Sequence, residues 1–533
     1  AIGPKTGSTE RGISVSLWGV DLPEHPTACT VGEQQTTATN TGDGKLHYRT
    51  SSTQPGFHQV VLDGLEYAAL HVFAASDRPT VLHANSSGKL LYSNVNLKAA
   101  THMTPFPCDA DAPDTLAIAS EDALVLGTVD EVRKLHIRSV YLNEQPRRIS
   151  HLEHVHCFAV LTMAIEAAGA DGEERERNFV KLFDETTFEL CATFELTPYE
   201  AACSTLTLRV PPEQQSASTA GTPTLLVVGT AFARDDEPEP TAGRLLVFDV
   251  SDRTLELVCE HRVKGAAYSL AAIGSNGLLA GVNNKLQLHE WQPSAAGSTP
   301  SLKLRDERSG HILVLYIAVR GEFVLVGDLM KSLSLYQCNP TAGKITELAR
   351  DYSSHWMTSV AFLDDDTYLG AESHYNLFVA RKQSEAATDD DRGRLEIVGE
   401  FHLGEFVNCF RRGSLAMQVA EVGTAPLPTL LYDSVNGVLG LIASLPQEDF
   451  EMLSKVQTQL SKVIKGVGGF SHSKWRAFSN DRKTVDATHV LDGDLIESYL
   501  ALGPAEMAQV VEGLPGTTVE ELTKRIEELA RLH

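Results

Sequence analysis

One short stretch carries residue types that bind transition metals, HLEHVHCFAV (151–160). A structural zinc site needs four histidine or cysteine ligands in a tetrahedral arrangement. The apolar end of the stretch is typical of a strand, on which His154 and His156 share one face while Cys157 points to the other. No second ligand pair stands at a suitable spacing elsewhere in the sequence. The sequence therefore predicts a half-exposed strand here, with no metal site and no cofactor.

The other candidates for chemistry have simpler interpretations. The aspartate runs at 364–366 and 389–391 lack the alternating oxygens, glycine turn and later glutamate of a calcium loop, so both are predicted to be solvated hairpin turns. GVGG (466–469) is not followed by Lys-Ser or Lys-Thr and is predicted to end a helix. No G-x-S-x-G elbow is present. No catalytic residue is predicted, and the chain is not expected to be an enzyme.

Aromatic and apolar residues stand where polar turns lead into strands. Trp356 lies in ARDYSSHWMTSV, Tyr316 and Leu315 in HILVLYIAV, and Phe406 and Asn408 in HLGEFVNCF. If these strands belong to neighbouring units of one repeat, their starts form one surface, and an apolar ring there predicts a protein-binding pocket. Burial in the core of each repeat is the alternative for any one of them.

The elements that would position these residues form a repeat. Strand–turn–strand segments such as LLAGVNNKLQLHEW (278–291) and TYLGAESHYNLFVA (367–380) recur, and Gly281, Gly327 and Gly370 are 46 and 43 residues apart. That period is typical of a four-stranded propeller blade, although the Gly-His and Trp-Asp pairs of WD40 repeats are missing. We predict a mainly β chain containing a seven-bladed β-propeller. The polar insert AGADGEERERN (168–178) is predicted to be a surface loop.

The character of the chain changes near residue 446. Apolar residues at spacings of three and four follow in QEDFEMLSKVQTQLSKVIKGVGG (447–469), one helical face ended by glycines, and shorter helices are predicted at 492–502, 504–514 and 517–533. Thr517 or Thr518 with Glu520 or Glu521 predicts a capping box. The sequence thus predicts a small C-terminal helical domain.

Composition limits the classes of partner. The formal net charge of −25 repels phosphate backbones, which argues against direct binding to duplex nucleic acid. The eight cysteines form no C-x-x-C pair and are predicted to be reduced, as in the cytosol or nucleus. No apolar run is long enough to cross a membrane, and no signal peptide is recognised. The missing initial methionine suggests a processed chain or a piece of a longer one.

Several segments are close to a known family. They include SKWRAFSNDRKTVDATHVLDGDLIESYL (473–500), HLGEFVN (402–408) and FVLVGDLMKSLSLY (323–336). From about residue 65 to its end, the chain resembles the C-terminal portion of the DNA damage-binding protein 1 family, the adaptors of cullin 4 RING ubiquitin ligases. The resemblance implies that 1–134 are the last blades of a second, cullin-docking propeller. Residues 135–446 would be the third, receptor-binding propeller, and 447–533 the helical domain.

The resemblance also implies a set of partner-binding residues on the third propeller. Lys331 stands where the family has arginine, which removes a bidentate contact to a carboxylate. The positions that match the family's receptor site are Ala231, Glu239, Ala266, Leu313, Leu315, Tyr316, Leu329, Lys331, Arg350, Trp356, Phe406 and Asn408.

The expected function is that of a non-catalytic adaptor scaffold with a role in DNA repair and protein ubiquitination, in the nucleus and cytoplasm. The expected partners are a cullin 4 scaffold and WD40-type substrate receptors, with nucleic acid reached only through a receptor and no membrane. Two alternatives stay open. A homologous scaffold of a polyadenylation or splicing complex would co-purify with RNA-processing factors, and a propeller enzyme would hold a metal or an acidic pair in its channel.

Overall fold

The computed structural model describes eleven strands between residues 13 and 128, and residues 139–533 except 167–174, 211–223, 235, 294–298, 416–426, 465–470, 515, 531 and 533. The chain separates into two compact units, Ala1–Tyr141 and Leu142–His533. The predicted GVGG helix stop (466–469) lies outside the described residues.

The first unit consists of antiparallel strands. Three of them form the sheet β11-β10-β9, and the other eight follow the order β5-β2-β3-β4-β1-β6-β7-β8. The assignment of this region to a cullin-docking propeller stays a prediction. The strands are β1 (Ile13–Trp18), β2 (Thr27–Val31), β3 (Gln34–Asn40), β4 (Lys45–Thr50), β5 (Val60–Leu62), β6 (His71–Ala75), β7 (Thr80–Ala84), β8 (Leu90–Asn94), β9 (Ala100–Pro105), β10 (Thr115–Ser120) and β11 (Leu124–Thr128).

The second unit contains a β-propeller. Its described residues form six antiparallel sheets, each a simple meander in which order in space follows order in the chain. Five blades have four strands and the sixth has three. The first two blades are β12 (Gln145–Leu152), β13 (Cys157–Glu166), β14 (Arg175–Asp184) and β15 (Leu190–Glu195), then β16 (Glu200–Arg209), β17 (Thr224–Phe232), β18 (Gly243–Asp249) and β19 (Glu256–Val263).

The remaining four blades are shorter. The third and fourth are β20 (Ala267–Ile273), β21 (Gly277–Val282), β22 (Lys285–Gln292) and β23 (Ser301–Ser309), then β24 (Val314–Arg320), β25 (Phe323–Asp328), β26 (Leu333–Asn339) and β27 (Lys344–Arg350). The fifth and sixth are β28 (Met357–Phe362), β29 (Thr367–Glu372), β30 (Asn376–Lys382) and β31 (Leu395–His402), then β32 (Val407–Arg412), β33 (Thr429–Ser434) and β34 (Leu439–Ala443).

The predicted blade count of seven is wrong for the described residues, which form six. The predicted period holds from the third blade onward but not before it. From Gln145 to Glu200 the first strands are 55 residues apart, and from Glu200 to Ala267 they are 67 apart. The first two blades therefore span longer stretches of chain than the later four. Part of the predicted loop at 168–178 is also strand, because β14 begins at Arg175.

The repeated glycines of the sequence have a packing cause. Each lies on the second strand of its blade, and a Cβ at Gly229 or Gly281 would collide with the serine hydroxyl of the neighbouring first strand. That space lets Ser204 Oγ donate to the carbonyl of Ala267 at 2.7 Å, and Ser269 Oγ to that of Val314 at 3.1 Å. The hydrogen bonds join one blade to the next, so the glycine period records the approach of blades.

Buried histidine–acid pairs replace the missing WD40 signature in two blades. His311 Nδ1 lies 3.4 Å from Asp328 Oδ2 in the fourth blade, and Tyr336 OH hydrogen-bonds with His311 Nε2 at 2.9 Å. In the fifth blade His355 Nδ1 lies 2.6 Å from Glu372 Oε2. Each histidine precedes a first strand and each acid ends a second strand. The pairs therefore fix together the two loops at one end of a blade.

A helical region follows the propeller and has its own core. Leu453, Val456, Ile496, Tyr499 and Ile526 are among its buried residues. None of the described helices is long and apolar enough to cross a membrane. One short helix, α1 (Asp389–Arg392), lies between β30 and β31 of the propeller. The helices of the helical region are α2 (Gln447–Val463), α3 (His472–Trp475), α4 (Gly493–Glu497), α5 (Pro504–Glu512) and α6 (Val519–Ala530), with a small hairpin of β35 (Phe478–Ser479) and β36 (Thr484–Val485).

Capping explains one success and one error among the predicted turns. Thr518 Oγ1 accepts from the amide of Glu521 at 3.2 Å and Glu521 Oε2 from that of Thr518 at 3.1 Å, which confirms the predicted capping box. The aspartate run at 389–391 is helical rather than a hairpin turn. Thr388 caps it, and carboxylates in a first turn are stabilised by the helix dipole. The run at 364–366 does connect two strands, as predicted.

The helical region is attached to the fifth blade by its segment 472–492. Asn376 Nδ2 donates to the carbonyl of Ser479 at 2.8 Å, and Glu400 and Thr488 exchange backbone hydrogen bonds at 3.1 and 2.9 Å. Arg476 Nη1 donates to the carbonyl of Leu403 at 2.8 Å. These contacts hold the segment beside the strand that leads into the sixth blade.

Candidate partner-binding surface

Every first strand of the propeller carries the same irregularity. The pairing of each first strand with the second strand shifts register within its first four residues, which leaves one residue out of the ladder. A bulge of this kind turns a side chain away from the regular pleat and is frequent beside binding sites. The residues left out are Arg147, Cys203, Tyr268, Leu315, Thr358 and Asn408.

Most of the residues predicted to bind partners lie at this end of the blades. Four of them immediately precede the first strands of the third to sixth blades, and two others are bulge residues. In order of chain position, the four are Ala266, Leu313, Trp356 and Phe406, and the two are Leu315 and Asn408. The structure therefore places them at equivalent positions on successive blades. Their role in binding stays a prediction.

Of the other six predicted residues, three lie in loops between second and third strands, and three lie in strands: Ala231 in β17, Tyr316 in β24 and Arg350 at the end of β27. Leu329 follows β25, and its amide donates to the carbonyl of Leu313 at 3.1 Å, so these two residues are in contact. Lys331 is exposed, and its Nζ donates to the carbonyl of Gly310 at 2.8 Å. Glu239 is exposed in the loop between β17 and β18.

Not all of the predicted residues are equally available to a partner. Ala231 and Ala266 are buried and can only form the floor of the surface. Arg350 Nε lies 3.0 Å from Glu347 Oε1, so its charge is already paired within the chain. Tyr316 packs against Gly327, and burial raises the pKa of its phenol. Trp356 is different, because 45% of its surface is exposed.

Exposed and half-buried apolar residues lie on the segments that follow Trp356 at this end of the blades. The amide of Ser373 donates to the carbonyl of Trp356 at 2.9 Å, and two residues later Tyr375 is 47% exposed. The rings of Tyr375 and half-buried Phe406 meet edge to face at 6.1 Å. The amide of exposed Val435 donates to the carbonyl of Phe406 at 3.0 Å. We call these residues, Trp356, Tyr375, Phe406 and Val435, the apolar patch.

Sequence reasoning missed several residues of this end. Tyr268 and Thr358 occupy the same bulge position as Leu315 and Asn408, and aligning the strand starts AYS, VLY, MTS and VNC would have found them. Burial raises the pKa of Tyr268, and nearby Cys203 and Glu239 raise it further. Tyr375 offered no such signal, since it enters the apolar patch through the turn between β29 and β30.

The predicted histidine strand is interrupted. Glu153–Val155 forms a 3-10 turn between β12 and β13, so His154 and His156 do not share a strand face. His154 hydrogen-bonds with the carbonyl of Val250 at 3.1 Å, whereas His151 Nε2 lies 2.8 Å from Glu185. Among the described residues, no group of three or more His, Cys, Asp or Glu side chains is arranged to hold a metal ion.

Three of the described thiols are poor nucleophiles. Burial raises the pKa of Cys157, Cys203 and Cys338 to about 11, so all three are neutral at physiological pH.

The apolar patch is better suited to binding than to catalysis. Apolar and aromatic side chains with a few charges around them suit recognition of another protein.

Comparison with known proteins agrees with this fold. A family model described as the CPSF A subunit region matches residues 177–501. The chain is 50% identical over 463 residues to DNA damage-binding protein 1 of Solanum lycopersicum, and 49% identical over 466 residues to DNA damage-binding protein 1a of Arabidopsis thaliana. Each match covers 87% of this chain and 41% of the relative, so the chain spans less than half the length of these curated relatives.

The family resemblance predicted from the sequence is thereby confirmed. The region matched by the family model runs from the first blade into the helical region, and it includes all four residues of the apolar patch. This chain belongs to the CPSF A subunit region family, and within that family it is similar to the DNA damage-binding protein 1 sequences of plants.

Proposed function

We propose that the chain is a non-catalytic scaffold that holds substrate receptors for a cullin 4 RING ubiquitin ligase. The apolar patch carries the proposal, because its three aromatic side chains lie at the end of the blades that also holds the residues expected to bind receptors. Clustered aromatic residues are the usual anchors of protein interfaces. A helix or loop of a receptor that buries Leu- or Ile-sized anchors there gains roughly 1.5–3 kcal/mol from each.

The proposal also covers the cullin, the cellular process and the compartments in which the complex acts. The first unit would dock the cullin, and the complex would act in DNA repair in the nucleus and cytoplasm. Support comes from the name of the relatives, DNA damage-binding protein 1, and from the acidic net charge of the chain, which favours protein partners over direct contact with duplex nucleic acid.

Trp356→Ala in the full-length protein tests the proposal. Truncation of a central aromatic anchor costs about 2 kcal/mol or more, so capture of receptors in a pull-down should fall by at least about tenfold. Phe323→Ala is the matched control. Phe323 is 41% exposed at the opposite end of the fourth blade, and its loss should leave capture unchanged.

Mass spectrometry of the same pull-downs identifies the complex. Cullin 4 and WD40-type receptors should be recovered with the unaltered protein and with Phe323→Ala. Undiminished receptor capture by a folded Trp356→Ala protein would remove the site assignment. Recovery of polyadenylation or splicing subunits in place of the cullin would favour the RNA-processing alternative.

A further inference from the structure

The first strands of the six blades carry an excess of positive charge. Each first strand contacts the first strand of the next blade, from β12 to β32, so together they form the inner side of the propeller. Glu200 is the only acidic residue in these described strands, and it is buried and bonded to Arg244. In a chain of formal net charge −25, the inner side therefore reverses the sign of the charge. The arginines of the six strands are Arg147, Arg148, Arg209, Arg320, Arg411 and Arg412.

The arginines that end first strands already have partners. Arg209 Nη2 lies 2.7 Å from Glu153 Oε2, and Arg320 Nη2 lies 2.9 Å from Asp365 Oδ1. Arg412 Nη2 donates to a backbone carbonyl of the fifth blade at 3.2 Å. Ion pairs with loop carboxylates thus neutralise two of these three charges within the chain.

Arg147 and Arg148, near the start of β12, are different. Both side chains are exposed. Arg147 Nη2 donates to Met163 Sδ at 3.4 Å, and Arg148 Nη1 donates to the carbonyl of Arg147 at 2.9 Å, so both acceptors are uncharged. Within the part of the chain that the structure describes, neither guanidinium group forms an ion pair with a carboxylate. Two positive charges are therefore left uncompensated side by side.

The bulge in β12 turns these two side chains to the same side of the blade. Arg148 stands opposite Leu161 in the strand pairing, and the guanidinium group of Arg147 contacts Met163. Leu161 and Met163 are two residues apart on β13, so their side chains share a face of the sheet. In a regular strand, consecutive residues would point to opposite faces, and the residue left out of the ladder, Arg147, breaks that alternation.

The charge of Arg148 acts on three other blades. Burial raises the pKa of the Tyr316 phenol, and the charge of Arg148 opposes that rise. Burial raises the pKa of Cys203 to about 11 against the charges of Arg148 and Arg147, and Arg148 likewise opposes the raised pKa of buried Cys409. Tyr316, Cys203 and Cys409 belong to the first strands of the fourth, second and sixth blades. Because charge effects are largely screened beyond about 8 Å in physiological salt, Arg148 lies at the inner side of the propeller.

This arrangement suits an anion with several oxygens. A guanidinium group presents parallel N–H donors that match two oxygens of a phosphate, and two such groups on one side of a blade can hold two phosphoryl groups. The phenol and the thiols around them are neutral at pH 7, since their pKa values are raised, so they add no negative charge that would repel the ligand.

We propose that Arg147 and Arg148 form an anion site at the inner side of the propeller, and that its ligand is a small phosphate-bearing molecule with two phosphoryl groups in reach of the two guanidinium groups. The site is separate from the proposed holding of receptors, and its test uses no receptor. The two proposals can therefore fail independently.

Isothermal titration calorimetry of the whole chain with sodium pyrophosphate, at physiological salt and without divalent cations, tests the site. The negative net charge of the chain opposes any anion, so saturable binding has to come from a local cluster of cations. We expect one pyrophosphate per chain and about tenfold weaker binding of inorganic phosphate, which engages one guanidinium group fully. Absence of saturable binding, or tighter binding of a tetraglutamate peptide than of pyrophosphate, would overturn the proposal.

Substitution of the two arginines assigns the binding to this site. Arg148→Met and Arg147→Met should each weaken pyrophosphate about tenfold or more, because each removes charged hydrogen-bond donors. Arg148→Lys keeps the charge without the planar pair of donors and should lie between Arg148→Met and the unaltered chain. Arg209→Met, at the far end of the neighbouring first strand, is the matched control and should bind as the unaltered chain does.

Thermal melting of each variant shows that the propeller stays folded. Undiminished binding by folded Arg148→Met and Arg147→Met proteins would overturn the assignment of the site. An equal loss in Arg209→Met would also overturn it, because the anion would then respond to the general charge of the inner side rather than to this pair.

Discussion

A buried ion pair links three strands of the second blade. Glu200 in β16 accepts from Arg244 Nε at 2.8 Å and from Thr230 Oγ1 at 2.6 Å, and only 1% of its surface is exposed. Burial raises the pKa of this carboxyl, but the hydrogen bonds from Arg244, Thr230 and Thr197 outweigh burial and hold the pKa below its ordinary value. Glu200 is therefore ionised in the folded chain at neutral pH.

Replacing one partner of this pair should be costly. Arg244→Met leaves the Glu200 carboxylate buried without its cation, and we expect a loss of ~3–5 kcal/mol in stability, seen as a lower melting temperature. Arg262→Met, on the neighbouring strand β19 and exposed, is the control and should melt as the unaltered chain does. The double variant Glu200→Leu/Arg244→Met should recover most of the loss. A double variant that melts as low as Arg244→Met would contradict this account.

Single residues were predictable where a local pattern sufficed. A polar turn followed by an apolar strand pointed to Trp356 and Phe406, and the structure places both directly before first strands. The pairing of Arg350 with Glu347 and the burial of Ala266 depend on side chains packed from several strands, which no local pattern records. Arg476 donates to the carbonyl of Leu403 although 73 residues separate the two in the sequence, so only the fold brings their segments together.

The segment that ties the helical region to the propeller depends on one buried carboxylate. Asp492 accepts from Arg476 Nε at 2.6 Å and hydrogen-bonds with His472 Nε2 at 2.7 Å. Burial raises the pKa of Asp492, but the hydrogen bonds and charges of Arg476 and His472 outweigh it, so the pKa lies below its ordinary value. A carboxyl of lowered pKa adds stability above its unfolded-state pKa, near ~4, and this stability is lost as the pH falls through the folded-state pKa.

Acid should therefore release this segment. As the pH falls through the lowered pKa of Asp492, we expect the amides of residues 472–488 to lose protection from hydrogen exchange, because protonated Asp492 no longer pairs with Arg476. Asp492→Asn should produce the same loss at neutral pH. Asp494→Asn changes an exposed carboxylate two residues away and should leave exchange near the level of the unaltered chain. Full protection in Asp492→Asn at neutral pH would show that backbone contacts suffice to hold the segment.

Helices were predicted more accurately than blades. Helical periodicity and capping residues are local, and α2, α5 and α6 lie within the predicted segments. Blade number depends on how many residues the connections use, and the steps of 55 and 67 residues in the first two blades broke the period of the later ones. The run at 389–391 was misassigned because Thr388, which caps it, was not considered.

The whole molecule carries a large excess of negative charge. At a formal net charge of −25, the folded chain repels itself, and this repulsion is screened when salt is added. We expect the melting temperature to rise by a few degrees between low and physiological salt, where the Debye length falls from about 30 to about 8 Å. Scanning calorimetry over a sodium chloride series measures this. A melting temperature that falls with salt would mean that surface ion pairs contribute more than net repulsion.

The fold class was accessible from the sequence because it repeats. Glycines at a constant period reported the contact between blades, although the sequence alone did not show that Gly229 and Gly281 leave room for the serine-to-carbonyl bonds of Ser204 and Ser269. The His311–Asp328 pair was hidden for a different reason. The pair holds two loops of its blade together, as the missing WD40 residues would, but with side chains of other types.

Because of the bulges in the first strands, one residue of each first strand lies at the candidate surface without taking part in the strand pairing that holds its blade together. The six residues left out of the ladder are of six chemical kinds, an arginine, a cysteine, a tyrosine, a leucine, a threonine and an asparagine, on one recurring backbone geometry. Since these residues are left out of the strand pairing, the ladder itself does not fix which side chain each position carries. A lineage can in this way drift from one set of partners to another while its propeller stays the same.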